Sequence, residues 1–214
     1  MEIRKVKQTS LKQQAFESIK NAIIDHSLPP GHILYERQLS EMLGISRTPV
    51  RESIPLLEME GWVISVPRKG TFVSNISKKD VEEVIQLRLA LETLVIELVL
   101  PVITNREIEM LEEIFESQTQ LKHNKSDFIK TDTDFHIHLA EKSGNKRLAQ
   151  LMRTLGDQLR WFGIQALYSP NRIEQTLKEH AALLEAIKNR DIEYAKQAAI
   201  NHISSTYKAI INSL

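Results

Sequence analysis

The chain has no cysteine in 214 residues. That excludes disulfides and thiolate metal ligands together, and it fits a reducing cytoplasm. There is no excess charge of either sign, because 28 Lys and Arg balance 28 Asp and Glu. A polyanionic partner would therefore have to be held by a local cluster rather than by overall charge. The opening residues MEIRKVKQTS lack the apolar core of a signal peptide. No long apolar run is uninterrupted either: LALETLVIELVLPVI is broken by Glu92, Glu97 and Pro101, which predicts a buried amphipathic helix and no membrane span. Internal repeats and low-complexity tracts are also missing. What remains, 42% hydrophobic and 26% charged residues, is ordinary globular composition long enough for two modest domains.

The most informative stretch is YERQLSEMLGISRTPVRESIPLLEMEGWVISVPRKGTFV, residues 35–73. Leu39, Met42, Leu43 and Ile45 predict a short supporting helix that ends at Gly44. Thr48-Pro49 opens a second helix, since proline suits a first helical position. Val50, Ile54, Leu57 and Met59 would give it an apolar side, while Arg47, Thr48, Arg51 and Glu52 gather polar groups at its N-terminal turn. Such groups reach phosphates and base edges. Gly61 stops the helix. Trp62 to Val66 and TFVS form a β-hairpin around PRKG, whose Arg68 and Lys69 tip a wing. Pro55 lies inside the second helix, where a lost hydrogen bond and a clash typically cost about 3 kcal/mol and predict a kink.

LSEMLGISRTPVRES resembles the signature of the GntR family of bacterial winged-helix regulators. The resemblance implies double-stranded DNA as partner. It puts Arg37, Ser46, Arg47, Thr48, Arg51, Lys69 and Gly70 on the DNA-contacting positions. The first 74 residues carry 10 Lys and Arg against 8 Asp and Glu, and the remainder 18 against 20. So weak an asymmetry makes binding depend on this cluster and on two copies acting together.

A first helix is predicted from Gln8 to His26, with Leu11, Ala15, Phe16, Ile19 and Ile23 on one face and an LPPG turn after it. Residues 1–74 thus form a winged helix-turn-helix of three helices plus a hairpin. Ser77 and Asp80 have capping-box spacing, as do Thr104 and Glu107. Residues 75–214 contain no convincing strand, and breakers divide them into helices at about 79–100, 105–122, 127–142, 146–168, 171–189 and 192–213, with Ser169-Pro170 as an N-cap pair. The fold class is mainly α, with the second domain an all-α antiparallel bundle.

Asp132 and His136 are four residues apart in TDTDFHIHLAEKSGN and share a helix face, as two ligands of one ion require. His180 and His202 lie 10 residues before and 12 after Arg190, depths of about 15 and 18 Å from one turn, so their imidazoles can meet across a helical hairpin. Asp134 and His138 sit about 200° round the helix from that pair and point away.

The pattern D-x-x-F-H, SGN, EH before LLEAI and NH in the last helix resembles the FCD ligand-sensing domain of FadR-type regulators. In its metal-binding branch an aspartate and three histidines hold a divalent ion, which maps onto Asp132, His136, His180 and His202. Zinc is the first expectation, and nickel, manganese or iron also suit such donors. A small organic acid would bind at the ion, with Arg88 and Arg160 as candidates to pair with its charge. The reading is a cytoplasmic, homodimeric repressor on a pseudo-palindromic operator, with no membrane partner. The alternatives are a metal-dependent hydrolase-like enzyme, which lacks a motif-placed general base, and a DNA-binding protein with a purely structural metal.

Overall fold

The computed structural model describes residues 10–214. Its chain divides into two compact units, 1–75 and 76–214.

In the first unit, α1 (Leu11–Ile24) is capped by the Ser10 side chain. The predicted start at Gln8 lies outside the described residues. Ala15, Phe16, Ile19 and Ile23 are buried, whereas Leu11 is exposed because it sits in the first turn. α2 (Glu36–Leu43) ends at Gly44, whose φ of 65° closes the helix in a conformation a side chain would strain. α3 (Arg47–Met59) packs on α1 through Val50 and Leu57. Two expectations need correcting. Helix α3 is entered from Ser46, so Pro49 is its third residue rather than its first. Met42 and Met59 face solvent instead of the core. The helix runs through Pro55 to Met59, as expected, and the ring lies on its exposed side, where water can satisfy the carbonyl that proline leaves unpaired.

The wing is β2 (Val63–Val66) paired antiparallel with β3 (Gly70–Val73). A strand that sequence reading missed, β1 (Ile33–Leu34), adds to the far edge of β3 and makes a three-stranded sheet in the order β1-β3-β2. Two residues are too few for periodicity to show. Glu58 fastens the hairpin to α3 by accepting from the Ser65 amide at 2.9 Å.

The second unit is helical throughout its described length: α4 (Lys78–Val99), α5 (Asn105–Gln120), α6 (Lys125–Lys142), α7 (Lys146–Gly163), a 3-10 turn (Ala166–Tyr168), α8 (Arg172–Lys188) and α9 (Ile192–Ser213). Both expected capping boxes form. Asn124 caps α6 two residues earlier than expected. The segment expected as one helix over 146–168 breaks at Gly163 and resumes as the 3-10 turn. Helix α8 is entered from Asn171 in the left-handed conformation, so Ser169-Pro170 is not its cap. α4 packs on α9, α7 and α6, and α8 on α9 and α5. The core between them includes Val95, Ile96, Val99, Leu111, Phe135, Leu183, Ile187, Ala199 and neighbours. Glycines bring α7 close to α6: a Cβ on Gly156 would stand 2.6 Å from Thr133 Cγ2 and one on Gly163 2.9 Å from Ile129 Cδ1. Among the described residues, no helix is long and apolar enough to cross a membrane.

Candidate functional site

Asp132 and His136 on α6, His180 on α8 and His202 on α9 converge inside the bundle, with one ligand atom from each all within 4.8 Å of one another. The imidazoles are 3% exposed or less. His136 Nε2 and His180 Nε2 are 3.2 Å apart, and His180 Nε2 is 3.3 Å from Asp132 Oδ1. His202 Nε2 is buried and has no hydrogen-bond partner among the described residues. Helical spacing on α6 excludes two neighbours from the cluster: Asp134 is exposed, and His138 is only partly buried.

The outer nitrogen of every imidazole is held. His136 Nδ1 meets Glu92 at 2.8 Å, His202 Nδ1 meets Glu179 at 2.9 Å, and His180 Nδ1 meets Gln118 Oε1 at 2.8 Å. Carboxylates only accept, so the first two Nδ1 atoms carry the proton. The same follows for His180, because Gln118 Nε2 donates to Asp132 Oδ1 at 3.3 Å and so turns its carbonyl towards the ring. Each neutral ring then presents a bare Nε2 lone pair to the centre. Burial also favours the neutral rings, pushing His136 below its ordinary value and His180 further below it. Burial by itself would raise Asp132, but the imidazoles of His180, His202 and His136, charged only in the acid range where the carboxyl titrates, and then Arg88 outweigh it and lower the carboxyl to about 2. Three lone pairs and a carboxylate facing one another, with an orphaned Nε2 among them, make a donor set that fits a divalent cation.

The sequence reading did not single out Glu92, Gln118 or Glu179, because none forms a motif with the histidines. Their helix-facing positions were the available signal. Glu92 is buried between Arg88 and His136, which together overcome desolvation and keep it ionised. Arg172, also not anticipated, donates to Glu179 at 3.1 Å and to Thr206 at 2.8 Å.

Arg88 is 4% exposed, and its one hydrogen bond within the described residues runs from Nε to Glu92. It lines two small cavities beside the cluster. One also touches His136, Thr133 and Gly156, while the other, of about 30 Å³, touches Asp132, Thr133, Arg172 and Thr206. Arg160 is not brought to either. It lies 4.0 Å from Asp157 on its own helix.

In the first unit, Ser46, Arg47, Thr48 and Arg51 are exposed at the N-terminal end of α3, with Arg37 exposed on α2. Lys69 and Gly70 are exposed at the wing, where the Lys69 amide closes the turn on Val66 at 3.0 Å.

A winged helix-turn-helix carried with an all-helical domain of this kind defines a transcription regulator. The model of bacterial regulatory proteins of the gntR family matches residues 11–73, and that of the FCD domain matches residues 83–205. The chain is 30% identical to the HTH-type transcriptional regulator YdhC of Bacillus subtilis over 92% of its own length and 90% of the relative's. It is 25% identical to the HTH-type transcriptional repressor RspR of Escherichia coli, covering 94% and 89%. The solved structure of E. coli McbR/YncC superposes with a TM-score of 0.82 at 23% identity over 96% of this chain and 99% of that one. The protein belongs to the GntR family of DNA-binding transcription regulators, with an FCD domain, and is not an enzyme.

Proposed function

We propose that this regulator is a repressor whose operator affinity is set by a small carboxylate bound at a divalent metal in the FCD domain. The observation that carries the reading is the convergence of three buried Nε2 lone pairs on Asp132, each ring locked from behind by Glu92, Gln118 or Glu179. Asp132, His136, His180 and His202 would hold the ion, zinc first, with nickel, manganese or iron as alternatives for the same donors. When bound, the ion supplies a positive charge to which a carboxylate can attach. Arg88 adds the second anchor, because it lines the neighbouring cavities and, among the described residues, hydrogen-bonds only Glu92, through Nε. A cavity of about 30 Å³ has room for little more than a water or a carboxylate group, which favours a small acid over a long acyl chain.

Residues 1–74 form the DNA-binding domain and residues 75–214 the sensing domain in this reading. Arg37, Ser46, Arg47, Thr48, Arg51, Lys69 and Gly70 would contact the operator. The functional unit is a homodimer, since one nearly neutral winged helix cannot supply specific affinity alone, and two recognition helices one helical turn apart fit a pseudo-palindrome. An apolar stripe on α4 supports it: Leu87, Leu94 and Leu98 are 55, 37 and 38% exposed at spacings that share one helix face.

The test is a screen of metabolite carboxylates by thermal shift on metal-loaded and chelated protein. A hit should stabilise only the loaded form and release it from operator DNA. A ligand bound equally well without metal would make the ion structural and refute this reading.

A further inference from the structure

Arg51 and Arg47 share the exposed end of α3, but only Arg51 is held by another helix. Arg47 makes no hydrogen bond or ion pair among the described residues. Arg51 lays Nε and Nη2 side by side on the carboxylate of Glu36, in the first turn of α2, with Nε 3.1 and 3.0 Å from the two oxygens and Nη2 2.8 Å from Oε2. Arg37 offers a contrast, meeting Glu41 on its own helix by one contact of 3.8 Å. The Arg51 and Glu36 side chains are 69 and 37% exposed, so burial does not hold the pair together. The match of a planar fork to a planar carboxylate does.

A guanidinium has two such forks, one at the side formed by Nε and Nη2 and one at the end formed by Nη1 and Nη2. Glu36 occupies the side fork. The end fork keeps one forward N–H on each terminal nitrogen, and that spacing spans O6 and N7 of guanine in the major groove. An unpinned arginine on an exposed helix turn can equally settle on a phosphate, which carries no sequence information.

The geometry points to Glu36 as a specificity-determining positioning residue: it presents the end fork of Arg51 to the groove, so that Arg51 reads a guanine instead of gripping backbone. The negative charge of Glu36 also weakens binding to duplexes that lack that guanine, because a carboxylate near phosphates opposes non-specific association. The inference rests on the proposal that the N-terminal turn of α3 reads DNA.

The experiment is selection of random-sequence duplex DNA by the full chain, wild type against Glu36→Gln, Glu36→Asp, Arg51→Ala and the Arg51→Ala/Glu36→Gln double variant. The wild type should enrich a motif with a guanine in each half-site that is lost in Arg51→Ala. Glu36→Gln should lose about 10-fold of the preference at that same base pair and leave the other positions intact, while non-motif duplex binds a few-fold more tightly. Glu36→Asp should retain most of the preference. In the Arg51→Ala background, Glu36→Gln should change nothing at that position, whereas a purely structural role would lower affinity in both backgrounds alike. An unchanged motif in Glu36→Gln overturns the positioning role. A wild-type protein that enriches no motif overturns the DNA-reading assignment of α3 itself.

Discussion

Gln118 donates Nε2–H to Asp132 at 3.3 Å and accepts from His180 Nδ1 at 2.8 Å. Through this one amide the carboxylate of α6 dictates which nitrogen of the α8 histidine carries the proton, and hence that its Nε2 faces inward as a lone pair. Gln118 is fully buried, so no water stands ready to take over either bond.

Gln118→Ala should therefore weaken metal binding without removing a ligand. The expected loss is about 10- to 100-fold in affinity, read by competition with a chelator of known strength. Unchanged affinity would mean that the ring keeps its tautomer without the amide.

Metal content should follow the converging set and not its sequence neighbours. Elemental analysis of purified protein should find close to one divalent ion per chain. His180→Ala and His202→Ala should each lower occupancy and melting temperature, whereas His138→Ala should leave both nearly unchanged. Equal depletion in His138→Ala and His180→Ala would contradict the arrangement.

Arg88→Lys should separate ligand binding from metal binding. Lysine keeps a cation beside Glu92 but has no planar fork, so carboxylate affinity should fall about tenfold or more while metal content holds. Calorimetric titration of a screening hit checks this, and retained affinity would move the anchor elsewhere.

Gly156→Ala should destabilise the helical second unit. Alanine gains up to about 1 kcal/mol of helix propensity, but overpacking costs about 1–3 kcal/mol. Here Thr133 cannot rotate away, because it is buried and its hydroxyl donates to Ile129 O at 3.0 Å. The clash should win by about 1 kcal/mol, seen as a lower urea midpoint. A rise in the midpoint would show that α6 and α7 separate at little cost.

Leu94→Asp combined with Leu98→Asp should convert dimer to monomer in sedimentation velocity and weaken operator binding. On a face that stays wet, such exchanges stay within about 0.5 kcal/mol and would leave the sedimentation coefficient unchanged.

Much of this was legible in the sequence because it depends on local rules. The left-handed Gly44, the capping boxes at Ser77 and Thr104, the hairpin around PRKG and the i, i+4 pairing of Asp132 with His136 each follow from residues within a few positions of one another. The same locality set apart Asp134 and His138, since a helix turns them from that face whatever packs against it. Where only neighbours in space decide, the sequence was silent or misleading. β1 exists because β3 offers it an edge, and Met42 and Met59 are wet because no element covers them. Glu92, Gln118 and Glu179 lie 44, 62 and 23 residues from the histidines they hold, on helices brought together by packing, and Glu36 meets Arg51 only because α2 crosses α3. The sequence thus determined which side chains each helix offers, through backbone periodicity. The tertiary structure alone decided which of them meet, because hydrogen bonds and charge pairs act over a few ångströms of space and are indifferent to separation along the chain.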